Sequence, residues 1–362
     1  MFICLNFMKS FGIKLLLPAA ALLCLASSCK DDDESSTTKY LSGDGVTFTF
    51  KAYVRMKDQI TFKPYGAYHP ESGEQVYYTC TCTALSIKDT VYLVDGAKKE
   101  GDVTFGPYTM PDSTGMFTFT CAAGATGYYG YSTSADVTVV DPEIGVNLTG
   151  TGIDPSDTEY IVDSRNTVDI PVQEQVYYYT TIAGLDWMRQ NLGYYPEGQE
   201  KTFGSAYLGC EAVSYMLGRF YNFQEAKTAC PTGWRLPTDE EVIAVANTVT
   251  GKTVSVGETI EGAAGAFMAD AYFFDEKMWE FWPQVPITNS TALGFIPSGY
   301  AQNNGNGVIF SGITSYGGFW TSTEKDGKAL YRFMNENIPD ILAAYADETT
   351  FMANVRCVRN TI

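Results

Sequence analysis

Few residues in this 362-residue sequence have the types and spacing that catalysis needs, and histidine is the scarcest of them. His69 is the single histidine. It lies in the first half of the chain, where short strands of a sandwich are predicted, so we expect no serine or cysteine nucleophile with a histidine base. A single histidine also excludes zinc sites that need two histidines. The sequence has no phosphate-binding glycine motif, no dinucleotide fingerprint and no EF-hand loop. A carboxylate pair for glycoside hydrolysis stays open, because no pattern singles out a pair among the 42 acidic residues.

A second group of residues is suited to recognition. Aromatic rings stack on the apolar faces of sugars or on partner side chains, while carboxylates and amides form hydrogen bonds. Two tryptophans follow two acidic residues closely, although tryptophans here could also fill a satellite core under a long loop. The asparagines belong to an Asn/Gly run that is also typical of a hairpin turn. The candidate ligand-binding residues are Trp279, Trp282, Asp275, Glu276, Asn303, Asn304 and Asn306.

The start of the sequence has the pattern of a lipoprotein signal. Lys9 and Lys14 precede an apolar run over 15–26, which is shorter than the about 20 residues that span a bilayer. The residues before Cys29 resemble a bacterial lipobox, so we expect Cys29 to be acylated. The acidic run at 30–34 resembles the export signal of surface lipoproteins in the Bacteroides group, and a solvated tether is the alternative. Localisation at the outer face of the outer membrane follows as an expectation.

The formal net charge is −18 at pH 7. Such an acidic surface repels phosphate backbones, so we expect no nucleic-acid partner. It also repels anionic lipid. Membrane attachment is therefore expected through acyl chains only.

Period-two alternation dominates residues 43–142 and predicts short strands that pack as an immunoglobulin-like sandwich. The alternation places Cys80, Cys82 and Cys121 on apolar faces. Either Cys82 or, as the alternative, Cys80 could reach Cys121 across the sandwich. The remaining cysteine is then expected to be buried and inert.

Helix signals cluster in the second half of the chain. Thr238 is followed three residues later by Glu241, which is the pattern of a capping box. Apolar residues then recur at helical spacing, and Gly251 is placed to end the helix. An upstream segment, 220–229, predicts another helix that leads into Cys230.

Four sequence blocks identify a family resemblance over residues 160–362. They are GLDWMRQNL at 184–192, CPTGWRLPTDEE at 230–241, GGFWTST at 317–323 and NVRCVRN at 354–360. Together they resemble the Fibrobacter succinogenes major paralogous domain, which is related to the C-type lectin fold. The resemblance implies a disulfide between Cys230 and Cys357, and it implies no catalytic residues. Calcium-dependent sugar binding of the lectin type is not expected, because the sequence lacks the Glu-Pro-Asn and Trp-Asn-Asp motifs of those lectins.

The predicted fold class is mainly β with an α+β C-terminal domain. An immunoglobulin-like β-sandwich is followed by a C-type lectin-like domain. The predicted segments are a signal peptide at 1–28, a tether at 29–42, the sandwich at 43–142, a linker at 143–158 and the lectin-like domain at 159–362.

The expected function is non-enzymatic: a lipid-anchored surface protein presents the lectin-like domain to a glycan or an extracellular protein ligand, in adhesion or recognition. The alternative is a structural component of a surface assembly, such as a pilus tip or a polysaccharide-uptake complex. A carbohydrate-active enzyme is the third hypothesis. We expect no cofactor and no metal site.

Overall fold

The computed structural model describes residues 39–141, 151–154, 156–165, 175–274, 276–280 and 285–361. Cys29 and the predicted signal peptide lie outside these residues. The chain divides into two compact units, Met1–Val139 and Val140–Ile362. Both are built mainly from β-strands. No helix in the described residues is long and apolar enough to cross a membrane.

The first unit is made of antiparallel strands. In its described residues they are β1 (Tyr53–Arg55), β2 (Gln59–Phe62), β3 (Gln75–Cys82), β4 (Ile87–Val94), β5 (Phe105–Thr109), β6 (Gly115–Ala125) and β7 (Tyr128–Val140). Five of them form one sheet in the order β1-β7-β6-β3-β4, and β2 pairs with β5. Alternating side chains of β3 and β6 are buried in one hydrophobic core, as the period-two pattern predicts.

The predicted bond between Cys82 and Cys121 is absent from the structure, which has both as buried thiols, and Cys82 is not opposite Cys121 in the strand register. The strands that carry them are neighbours in one sheet and do not face each other across a sandwich. In the β3–β6 register, Cys80 is the residue directly opposite Cys121. Cys82 is therefore displaced by two residues along β3, and Cys80 is also a free thiol.

The second unit combines short helices with several small sheets. Its described helices are α1 (Ser214–Leu217), α2 (Phe223–Ala229), α3 (Asp239–Thr250) and α4 (Ala264–Phe267). Its described strands are β8 (Tyr160–Val162), β9 (Val176–Ile182), β10 (Leu185–Met188), β11 (Tyr272–Phe273), β12 (Glu276–Lys277), β13 (Tyr300–Asn303), β14 (Val308–Ser311), β15 (Tyr316–Lys325), β16 (Lys328–Asn335), β17 (Ile338–Asp347), β18 (Phe351–Met352) and β19 (Val358–Asn360).

The capping box predicted for α3 is confirmed. The Thr238 side chain accepts from the backbone N–H of Glu241, and the Glu241 carboxylate accepts from the N–H of Thr238. Gly251 follows the helix in the left-handed conformation, with φ of +68°. The predicted upstream helix is α2, which begins at its own capping box between Asn222 and Glu225 and ends next to Cys230.

The sheet β15-β16-β17 separates two hydrophobic cores of the second unit. Side chains alternate between its faces, so Phe319 and Met334 enter one core while Trp320 enters the other. The four-stranded sheet β19-β10-β9-β8 also contributes to both cores, through Trp187 and Met188 of β10.

The structure contains the disulfide Cys230–Cys357 that the family resemblance implies. It joins the end of α2 to the residue just before β19, with Cα atoms 5.8 Å apart and 127 residues between the cysteines. The described second half of the predicted linker belongs to the second unit by its contacts. Thr151 is buried there, and its carbonyl accepts from Asn289 Nδ2 at 2.9 Å.

Candidate functional site

Trp279, one of the two candidate tryptophans, is a core residue, which is the alternative that the sequence left open. Trp279 is 1% exposed and packs in the core beneath β15. Its ring lies 3.3 Å from the point that a Cβ would occupy at Gly317. Because Gly317 has no side chain, the indole reaches the interior and leaves no face for a ligand. Trp282 and Asp275 lie outside the described residues.

The other candidates are exposed, and they are Glu276, Asn303, Asn304 and Asn306. Glu276 lies on the two-residue strand β12. Asn303 and Asn304 form the turn between β13 and β14, where their Oδ1 atoms accept from the N–H groups of Gly305 and Asn306 at 3.0 and 2.9 Å. The Asn/Gly run is thus a hairpin turn whose amides serve the turn first.

A different set of residues forms the best candidate binding surface. Five aromatic rings make a closed ring of contacts, which we name the five-ring cluster. Its members are Tyr300, Tyr316, Phe333, Tyr331 and Phe351, and in that order around the circle their centroids are 5.1, 4.8, 5.4, 4.5 and 5.7 Å apart. All five side chains are partly exposed. Partly exposed aromatic residues from four strands are therefore grouped at this place.

The strands place these rings through register and through one glycine. Gly318 lies opposite Phe333, and Trp320 lies opposite Tyr331, so these residues share a face of the sheet. A Cβ at Gly318 would lie 2.8 Å from the Tyr316 ring. Glycine therefore lets the Tyr316 ring lie across the strand and stack on Phe333, with an interplanar angle of 20°.

Polar groups accompany the aromatic surface. The hydroxyls of Tyr316 and Tyr331 are hydrogen-bonded to each other, and burial raises the pKa of both phenols. Both hydroxyls are therefore uncharged at neutral pH. Gln302 is exposed on β13 directly opposite Phe351, on the same strand face as Tyr300. The site thus combines aromatic rings with the exposed amide of Gln302, which is the chemistry that recognises a sugar ring.

Buried arginines hold irregular segments of the second unit. Arg356 is 1% exposed and donates from Nε to Asn191 Oδ1 and from Nη1 to the Leu293 carbonyl, both at 2.6 Å. Its guanidinium also lies 4.1 Å from the centroid of the Phe295 ring. A loop carbonyl that bonds a buried cation needs no strand partner, so these segments stay ordered without regular secondary structure.

Arg219 and Arg332 repeat this arrangement, and both are 0% exposed. Arg219 pairs with Glu211 and donates to the Glu200 and Phe203 carbonyls at 2.6 and 3.1 Å. Arg332 is paired with Asp239 of α3 at 2.6 Å and also donates to the Glu258 carbonyl.

Glu280 and Glu336 are the candidate catalytic pair of acidic residues. The N–H groups of Glu280 and Glu336 bond to the adjacent carbonyls of Thr314 and Ser315, so the two residues are close. Burial, and then the charge of Glu280, raise the pKa of Glu336. One carboxylate oxygen of each is buried without a hydrogen-bond partner in the described residues. A substrate does not reach oxygens in this position, so the pair does not favour glycoside hydrolysis. In the described residues, no group of three or more acidic, histidine or cysteine side chains could hold a metal ion.

Residues 180–359 match the family model of the Fibrobacter succinogenes major domain. This part of the chain is similar to that family. The matched residues contain three blocks of the predicted resemblance and all but the last residue of the fourth, together with the disulfide and the five-ring cluster.

Comparisons with individual proteins add little to the family match. No curated protein matches the sequence. Among solved structures, a CARDB domain from Pyrococcus furiosus, determined in complex with di-metal ions, is 13% identical. The match covers 29% of this chain and 99% of that one, with a TM-score of 0.23.

Sequence reasoning missed the five-ring cluster, although one signal for it was present. In β16, Tyr331 and Phe333 alternate with Leu330, Arg332 and Met334. Two aromatic residues on the face opposite a buried set indicate a second apolar surface. The contributions of Tyr300 and Phe351 come from other strands, so only the tertiary structure brings them together.

Proposed function

We propose that this protein is a lipid-anchored surface protein whose second unit, a C-type lectin-like domain, binds neutral glycans at the five-ring cluster. The first unit is an immunoglobulin-like spacer that separates this domain from the anchor at Cys29. The observation that carries the proposal is the partly exposed circle of five aromatic rings beside the amide of Gln302.

The physical argument for a glycan rests on stacking combined with hydrogen bonding. The apolar faces of sugar rings pack on aromatic rings, and sugar hydroxyls exchange hydrogen bonds with uncharged phenols and amides. The net charge of −18 opposes binding of polyanions, which favours neutral sugars. The buried pair of Arg332 with Asp239 supports the proposal, because it fixes the strand that carries Tyr331 and Phe333, and a preordered site loses little conformational entropy when a ligand binds.

The test uses the soluble chain from residue 30 onward on an array of neutral oligosaccharides, with and without calcium. A parallel panel of immobilised extracellular-matrix proteins covers the protein-ligand alternative. We expect saturable binding to a neutral oligosaccharide without calcium. Tyr300→Leu and Gln302→Ala should each weaken it by about 10-fold, because one stacked ring or hydrogen bond contributes about 1–3 kcal/mol.

Tyr160→Leu is the matched control, since Tyr160 is 48% exposed on β8 of a different sheet. The affinity of the Tyr160→Leu variant for the oligosaccharide should equal that of the unsubstituted protein. The proposal is wrong if no oligosaccharide binds, or if the affinity is insensitive to both cluster variants. Binding to matrix proteins alone would replace the glycan with a protein ligand.

A further inference from the structure

Two buried thiols of the first unit meet at the centre of its larger sheet. Cys80 on β3 and Cys121 on β6 are directly opposite each other in the antiparallel register, and each is 0% exposed. Directly opposed residues of antiparallel strands have Cα atoms about 4.5–5.5 Å apart. A disulfide needs Cα atoms about 4.4–6.8 Å apart, so the separation expected for this pair lies within the range of a disulfide.

Cys82, the third cysteine of this core, is not placed to bond to Cys121. Cys82 is diagonal to Cys121, and such pairs are about 7–8 Å apart, beyond the reach of a disulfide. On its other side, Cys82 faces Ile87 of β4. The register therefore selects one pairing among the three thiols.

A chain of hydrogen bonds distinguishes the two opposed thiols. The Cys121 thiol is hydrogen-bonded to Cys80, which lowers the pKa of Cys80 and raises that of Cys121. The Tyr108 hydroxyl also contacts Cys80, and it donates to Asp89 Oδ2 at 2.7 Å. Cys80 is therefore the thiol that ionises first, and a thiolate is the attacking species in disulfide exchange.

We propose that Cys80 and Cys121 form a second disulfide when the first unit folds in the presence of a disulfide oxidant. The Cys80 thiolate attacks one sulfur of the oxidant, forming a mixed disulfide and releasing one thiol. Cys121 then loses its proton and attacks the Cys80 sulfur, which releases the second thiol. In total, two cysteine thiols and one oxidant disulfide give the Cys80–Cys121 bond and two oxidant thiols.

The burial of both sulfurs sets when this exchange occurs. An oxidant cannot reach thiols that are 0% exposed, so the mixed disulfide forms after β3 and β6 have paired and before the rest of the core covers the sulfurs. Once closed, the bond locks the register of two central strands in the order β1-β7-β6-β3-β4. Formation of this bond in the cell rests on the proposed export, whereas its formation in vitro does not. The proposed bond and the proposed export can therefore be tested separately.

The experiment is disulfide mapping of the chain from residue 30 onward, refolded in reduced and oxidised glutathione. Free thiols are alkylated in denaturant, and peptides are identified by mass spectrometry. We expect bonds Cys230–Cys357 and Cys80–Cys121, with Cys82 and Cys210 alkylated. Alkylation of both Cys80 and Cys121, or a bond from Cys82 to Cys121, would overturn the inference.

Stability measurements provide a second readout that a mapping artefact would not reproduce. In the oxidised chain from residue 30 onward, Cys80→Ser should lower the thermal midpoint of the first unit by on the order of 10 °C. The loss should shrink when the two proteins are compared under a phosphine reductant. Cys82→Ser is the matched control on the same strand face and should leave the Cys80–Cys121 bond intact. An equal loss for Cys80→Ser with and without reductant would contradict the inference.

Discussion

The two units of this chain keep their backbones ordered in different ways. In the first unit, long antiparallel ladders such as β3–β6 and β6–β7 satisfy the backbone groups of the core strands. In the second unit, much of the chain between β10 and β13 is irregular, and buried arginines bond the loop carbonyls. Backbone hydrogen bonds between strands produce a regular surface, whereas hydrogen bonds from buried side chains order loops that have no regular secondary structure.

The cysteines follow the same division. In the first unit, opposed thiols lie within one sheet, where the ladder already sets their separation. In the second unit, the Cys230–Cys357 bond joins segments that share no sheet and, within the described residues, are otherwise linked by the single bridge between Arg235 and Val358. The second unit should therefore depend more on individual side chains than the first, and tryptophan fluorescence can test this because all five tryptophans lie in the second unit.

The largest effect is expected at the buried ion pair of the second unit. Asp239→Asn leaves the Arg332 charge without a counterion at a site where both side chains are 0% exposed. Breaking such a pair costs about 3–5 kcal/mol. Urea unfolding followed by tryptophan fluorescence should show this loss, while hydrogen exchange in β3 and β6 stays unchanged. Glu261→Gln, in an exposed pair with Lys252, is the control and should have no measurable effect.

Loss of the long disulfide should come next. Cys357→Ser opens a loop of 127 residues, and we expect the second unit to lose about 2–5 kcal/mol. The same fluorescence measurement applies. An unchanged urea midpoint would show that the arginine contacts alone hold this unit together.

In the first unit, the buried side chain of Tyr78 bonds loop backbone groups, as the arginines do in the second unit, and its loss should have a smaller effect on stability. The Tyr78 hydroxyl donates to the Ala67 carbonyl and accepts from the Ala97 N–H at 3.1 Å, and its side chain is 0% exposed. Tyr78→Phe leaves both backbone groups unpaired, at a cost of about 1–3 kcal/mol. Hydrogen exchange should detect this in the first unit only. A loss as large as that of Asp239→Asn would remove the contrast between the units.

The smallest effect is a gain of stability that depends on pH. Burial raises the pKa of Glu336 in the folded state, so its contribution to stability is present below the unfolded pKa and is lost as pH rises through the folded value. Glu336→Gln keeps the acceptor for Asn337 and removes the charge. We expect a gain of about 0.5–1 kcal/mol at pH 7 that disappears at about pH 4. A gain that is equal at both pH values would exclude the charge as its cause.

Local signals predicted local structure well. The α3 capping box, the α2 helix and the hairpin turn at Asn303 each depend on residues within a few positions of one another. Pairings over long distances were less accessible. The alternation placed Cys80, Cys82 and Cys121 on apolar faces, but only the register showed which one faces Cys121. Trp279 was ambiguous for a related reason, because its burial depends on Gly317, which is 38 residues away in the sequence.

The sequence by itself determined the family blocks in the second half of the chain, the short-strand pattern of the first half, the acidic charge and the narrow range of possible catalysis. These properties depend on residue types and on short spacings, which are visible without coordinates. Only the tertiary structure decided which aromatic rings share a surface and which thiols oppose each other. Such contacts join residues from different strands, and their geometry follows from register and packing, which no local pattern specifies.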